Sequence, residues 1–86
     1  MNGDATPYDE RAQAQLLAGH ADEALVDADK AIGMQSDVAS FYETRGRVRE
    51  ARGDRDGAIA DFKKALELDP ADKTPRAGLL RLDAIP

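Results

Sequence analysis

The sequence contains no cysteine and a single histidine, His20. The first absence excludes a disulfide framework, a thiolate metal site and a cysteine nucleophile, so stability has to come from packing alone. The second leaves a lone imidazole beside Gly19, without a nitrogen or sulfur partner. It reads as a turn or surface residue rather than a metal ligand or general base. Basic residues are also short: 12 Lys and Arg stand against 17 Asp and Glu, a formal net charge of -5, scattered along the chain. Nucleic acids require a positive footprint that this balance lacks. No apolar run approaches the length of a membrane span, and the opening MNGDATPYDE has neither a basic leader nor an apolar signal core. The expected setting is cytoplasmic.

Reactive motifs are missing too. The glycines form no phosphate loop, and no nucleophile elbow surrounds Ser36 or Ser40. DADKAIGMQSD superficially matches a calcium loop, but Ala31, Ile32 and Val38 fall where an oxygen ligand, the glycine and the closing glutamate are needed. The carboxylates belong to polar helix faces and no catalytic pair stands out. The expectation is therefore a non-enzyme with neither cofactor nor metal.

What is present is a repeat within one domain of 86 residues. A shift of 34 residues pairs Tyr8 with Tyr42, Arg11 with Arg45, Gly19 with Gly53, Ala24 with Ala58, Asp27 with Asp61 and Ala31 with Ala65, with no insertion. Each unit reads as two helices around a tight turn. Thr6 and Pro7 suggest an N-cap and a first helical residue, and Gly19 ends that helix. A second helix is predicted over about 21–34, with Asp22 and Glu23 at the positive end of its dipole. The next unit predicts helices over about 38–52 and 55–68, closed by Asp69 and Pro70. KTPRAGLLRLDAIP starts with the same Thr–Pro pair and predicts a closing helix over 74–83 that covers the last unit. The expected division is a disordered 1–4, units at 5–38 and 39–72, and a capping segment at 73–86.

On these residues the chain resembles the tetratricopeptide repeats. Tyr42, Gly46, Ala58, Phe62 and Pro70 fall at the family's characteristic places, and AIADFKKALELDP matches closely. The first unit keeps Tyr8, Ala12, Ala24 and Ala31 but has Ala28 at the aromatic place and Ser36 at the proline's. The resemblance implies an all-α superhelix of two helical hairpins plus a capping helix. It also implies a protein–protein interaction module that holds a peptide or protein in a concave groove.

By the family's geometry the groove places are Thr6, Asp9, Glu10, Gln13 and Leu17, then Ser40, Glu43, Thr44, Arg47 and Glu50. Four acids and one arginine among them favour a neutral or basic partner. One subtype of the family binds C-terminal carboxylates of chaperones through lysines, an arginine and asparagines. The matching places here are Asp9, Gln13, Thr44, Thr74 and Gly78, and none fits that chemistry. With only two units, homo-oligomerisation, or service as a piece of a larger protein, is the alternative role.

Two departures from the family pattern matter. The leucine place holds Arg11 and Arg45, and the facing helices repeat Asp27 and Asp61 in step. Antiparallel packing brings Arg11 to Asp27 and Arg45 to Asp61 as structural ion pairs. Gln15 and Arg49 stand at a second aromatic place, which suggests a partly solvated edge rather than a site. Finally, Arg52, Gly53 and Asp54 spell an adhesion tripeptide, yet they fall at the turn between paired helices, where Gly53 caps one helix and Asp54 the next.

Overall fold

The computed structural model describes residues 3–84. Five helices follow one another: α1 (Thr6–Leu17), α2 (Ala21–Met34), α3 (Ala39–Ala51), α4 (Arg55–Leu68) and α5 (Lys73–Arg81). The helices pair as α1 with α2 and α3 with α4, and α5 packs on α4 and touches α3. The fold is thus two helical hairpins and a capping helix, as the 34-residue period requires.

The turns obey the chemistry of their residues. Gly19 and Gly53 adopt φ values of 84° and 80°, in the left-handed region that closes a helix at little cost only for glycine. Asp54 then caps α4 by accepting the Gly57 N–H at 3.0 Å. Arg52, the first residue of the adhesion-like string, is tied at 2.8 Å to Asp22 of the preceding hairpin. The three residues bend around a corner. Leu68 is the last residue of α4, and Asp69 is extended just before Pro70.

The starts of α1 and α5 differ from the sequence expectation. Thr6 is the first helical residue, not the cap, and Ala5 in the cap position offers no side-chain bond. The capping oxygen comes from further back: Asp4 Oδ1 accepts the Thr6 N–H at 2.9 Å, and Asp72 Oδ1 accepts the Thr74 N–H at 3.1 Å. A carboxylate there also suits the helix dipole better than a hydroxyl. Met1, Asn2, Ile85 and Pro86, at the outer ends of the expected terminal segments, lie outside the described residues.

The core runs through the hairpins and on from one unit to the next. Ala12, Ala24 and Ala28 of the first hairpin pack with Val48 of α3, and Ala5 and Ala31 pack with Phe41. Leu79 of α5 completes the cluster of Ala58 and Phe62. The side of each odd-numbered helix that meets the previous layer shows the same logic. It reads Phe41, Arg45 and Val48 on α3, and Pro75 and Leu79 on α5 with Leu82 at its C-cap, but Pro7, Arg11 and Ala14 on α1. On α1 this side meets no further helix among the described residues, and Pro7 and Ala14 are exposed.

The ring of Phe62 sets the spacing of α3, α4 and α5. A Cβ added at Gly46 would stand 2.8 Å from one ring edge, and one added at Gly78 would stand 2.7 Å from the other. Burial of a phenylalanine contributes about 1.5–3 kcal/mol, but only where two neighbours leave room for it. One period earlier the three places hold Ala12, Ala28 and Thr44, all buried. The missing aromatic at Ala28 is offset by larger residues on both sides.

Candidate functional site

The first helices of the layers, α1, α3 and α5, stand in a row, α3 touching both neighbours. Seven of the ten groove places are on the surface or half-buried with polar side chains. Thr6, Glu10 and Ser40 are exposed, while Glu43, Arg47 and Glu50 are half-buried at the centre of the row. Gln13 is half-buried and donates from Nε2 to Asp9 Oδ2 at 2.8 Å. Asp9 itself is only 5% exposed and Thr44 3%. Thr44 therefore fills the layer, in the place of Gly78 one period on. Leu17 is 81% exposed at the end of α1. The residue one period before Glu50 is Leu16, not Leu17, and Leu16 packs on the core.

The row is joined by carboxylates. Arg81 of α5 grips Glu50 of α3 through Nε and Nη2, both at 2.7 Å, which holds Glu50 below the usual glutamate range. Glu43 behaves in the opposite sense. Burial raises it to about 7, aided by a carboxyl contact with Asp72 and by the charges of Asp72 and Asp9, against the pull of Arg47. Asp9 Oδ1 is buried and has no hydrogen-bond partner among the described residues.

Both expected ion pairs form. Arg11 meets Asp27 with Nε and Nη2 at 2.7 Å each, and Arg45 meets Asp61 at 3.0 and 2.9 Å in the same bidentate manner. The two differ in depth, for the Arg11 side chain is 62% exposed and that of Arg45 19%. Arg45 also reaches back through Nη1 to Asp29 of the preceding hairpin at 3.0 Å. The hydrogen bonds that Arg11 donates hold the Asp27 carboxyl below the usual aspartate range, against its burial, and those that Arg45 donates to Asp61 push the Arg45 guanidinium up.

Gln15 and Arg49 are half-buried, in keeping with a partly solvated edge, and both also reach a buried aspartate. Arg49 Nη1 donates to Asp61 Oδ2 at 3.0 Å, and the Gln15 amide, in the orientation that satisfies both its ends, donates from its nitrogen to Asp27 Oδ2 at 2.8 Å. Each buried aspartate thus has a second donor one helical turn beyond its arginine. The spacing of four between Arg11 and Gln15, repeated by Arg45 and Arg49, was the available signal.

His20 heads α2 without a side-chain capping bond, with Nδ1 3.9 Å from Glu23. Among the described residues no group of three or more His, Cys, Asp or Glu is placed to hold a metal ion, and no helix is long and apolar enough to cross a membrane.

Stacked helical hairpins with a polar row of first helices and a closing helix define a helical-repeat scaffold. The family profile described as tetratricopeptide repeat matches residues 39–72. The solved Arabidopsis OM64 TPR domain superposes with a TM-score of 0.88 at 35% identity, covering 92% of this chain and 65% of that one. The chain belongs to the tetratricopeptide repeat family, whose domains act as non-catalytic scaffolds for protein–protein interaction. Similar curated proteins include the mouse FK506-binding protein-like, 35% identical over 86% of this chain, and the wheat Hsp70-Hsp90 organizing protein, 33% identical over 84%. Hsc70-interacting protein 1 of Drosophila melanogaster is 35% identical over 84%. The chain spans 21%, 12% and 19% of these three relatives.

Proposed function

We propose that the chain binds a neutral or basic peptide or protein segment along the row of α1, α3 and α5. The observation that supports this reading is the polar centre of the row. Glu43, Arg47 and Glu50 stand there half-buried, among acids that outnumber the one arginine. A partner carrying negative charge would meet repulsion. Relatives named for chaperones do not transfer that partner here. The places a carboxylate-binding clamp would need hold Asp9, Gln13, Thr44, Thr74 and Gly78, which include no cation, and Thr44 and Gly78 are buried.

Self-association is less well supported. The outward side of α1 carries Pro7, Arg11 and Ala14 where α3 has Phe41 and Val48, so little apolar surface is left there. The exposed large apolar residues Leu17, Val26 and Leu80 sit on three different helices. The test is amide shift mapping by NMR with pools of short neutral, basic and acidic peptides. Shifts at Gln13, Ser40, Glu43, Arg47 and Glu50 with the first two pools are expected. Stronger binding by the acidic pool, or shifts confined to the outer helices α2 and α4, would overturn the reading.

A further inference from the structure

The repeat lets one layer show what the other lacks. Arg45 holds Asp61 through Nε and Nη2, and its remaining nitrogen, Nη1, donates to Asp29 Oδ1 of α2 in the preceding hairpin at 3.0 Å. The helix that supplies this carboxylate also packs there. Ala31 lies in one cluster with Phe41, and Ala24 and Ala28 lie in another with Val48, on either side of the Arg45 contact. Arg11, one period earlier, holds Asp27 in the same bidentate manner. Its Nη1 has no acceptor among the described residues, and its side chain lies open to solvent.

An open cleft of about 320 Å³ stands beside Arg11, lined also by Gln15, Glu23, Val26 and Asp27. Val26 is 69% exposed, and Leu17, one turn beyond Ala14 on α1, is exposed too. Pro7 and Ala14 occupy the places of Phe41 and Val48, so a helix laid on this side meets short side chains and has to bring the larger apolar ones itself. Glu23 is the one acid of the cleft without an arginine. It is exposed, screened by water, and 3.9 Å from His20 Nδ1.

We infer that the open side of α1 docks one amphipathic helix of a partner protein, whose carboxylate accepts from Arg11 Nη1 while larger apolar side chains beside it cover Pro7 and Ala14. The contact copies that of α2 on α3, where an acid has an apolar residue just before it and another two places after, as Ala28, Asp29 and Ala31 stand. The bond to Arg11 is charge-assisted and closes the last donor of the guanidinium. A second copy of this chain has no such helix to offer. Its Asp29 is already held by Arg45, and α4 has Lys63 at the corresponding place. None of Ser40, Glu43, Arg47 and Glu50 takes part, so the groove reading stands or falls separately.

The probe is a stapled helical peptide copying residues 21–34 with Ala24→Leu, Ala28→Leu and Ala31→Leu, because a free helix of that length is marginal in water. It is titrated against the unmodified protein beside the same peptide carrying Asp29→Asn. The aspartate peptide is expected to bind about tenfold tighter, to lose that advantage against Arg11→Met, and to shift the amides of Ala14, Gln15 and Val26. Ala14→Glu, a change at an exposed position that keeps the Arg11 pair, is expected to weaken binding by a similar factor and covers the case of a misfolded Arg11→Met. Equal binding of the two peptides, or binding of neither, would overturn the inference. Shifts at Ser40, Glu43 and Arg47 instead would do the same, by placing the peptide in the groove. A concentration-dependent dimer of the protein that Arg11→Met abolishes would also overturn it, in favour of a second copy on this side.

Discussion

Arg45 holds Asp61 by both carboxylate oxygens, and the same guanidinium reaches Asp29 in the hairpin before. An intra-hairpin lock and an inter-hairpin tie therefore share one side chain. Its counterpart Arg11 has the lock and is far more exposed. A double-mutant cycle with Arg45→Met and Asp61→Asn, measured by urea denaturation, should give a coupling of about 1–3 kcal/mol. The cycle with Arg11→Met and Asp27→Asn should give under about 1 kcal/mol, because solvent screens the pair. Equal couplings would show that depth does not govern these pairs.

Two carboxyls should give stability opposite slopes with pH. Asp27 is held below the ordinary 3.8 chiefly by the hydrogen bonds from Arg11, so its contribution is present above that pH and fades as pH falls further. Glu43 is raised from 4.5 to about 7, chiefly by burial, so the folded state keeps a proton that the unfolded chain has already released. Its penalty is absent at low pH, grows from 4.5 to about 7 and is full above it. Glu43→Gln should be more stable than the parent above that range by about 1 kcal/mol once solvent screening is allowed for, with no gain in acid. Thermal melts across the range decide it, and a pH-independent gain would refute the assignment.

Gly53 carries a positive φ, and no side chain lies near the place of its absent Cβ. Gly53→Ala should lose about 1 kcal/mol through backbone strain alone. Peptide binding by the folded variant should be unchanged. Lost binding with an unchanged melting temperature would return a recognition role to the Arg52 to Asp54 string.

Gly46→Ala and Gly78→Ala should each destabilise by about 1–3 kcal/mol, since the ring of Phe62 is pressed from both sides and has nowhere to move. Alanine's better helix propensity recovers at most about 1 kcal/mol of this. Phe62→Ala alone should cost about 3–5 kcal/mol. Adding Gly46→Ala and Gly78→Thr to it, which copies the first layer, should recover part of that loss. Strictly additive losses in the triple variant would mean that the layers do not compensate in this way.

The 34-residue register was legible because both glycine turns, both arginine–aspartate pairs and the alanine positions recur without a gap. The helix starts were less so. Thr6 and Thr74 drew the capping role, although the aspartates two residues earlier, Asp4 and Asp72, lie twice the period apart and were the sign to follow. Local propensity favours either residue type, and only the backbone path decides between them. Arg49 and Gln15 were legible as a partly solvated edge but not as second donors, because the aspartate each one reaches, on another helix, is already assigned to an arginine. The contact of Glu43 with Asp72 was not legible at all. It depends on where the start of α5 lies against α3, which no local pattern encodes.

The Phe62 layer bears on how such arrays are rebuilt. The place of Gly78 belongs to the helix after the hairpin, so the three mutually fitted residues never lie within one repeat unit. A graft cut at the unit boundary near residue 39 would separate Ala28 from Thr44 and set an incoming residue against a gap or a clash. The exchangeable block is instead offset from the repeat, running from α3 through α5 so that Gly46, Phe62 and Gly78 travel together. Segments joined inside the first helix of a unit, beyond residue 44, should splice; segments joined at the loops should not.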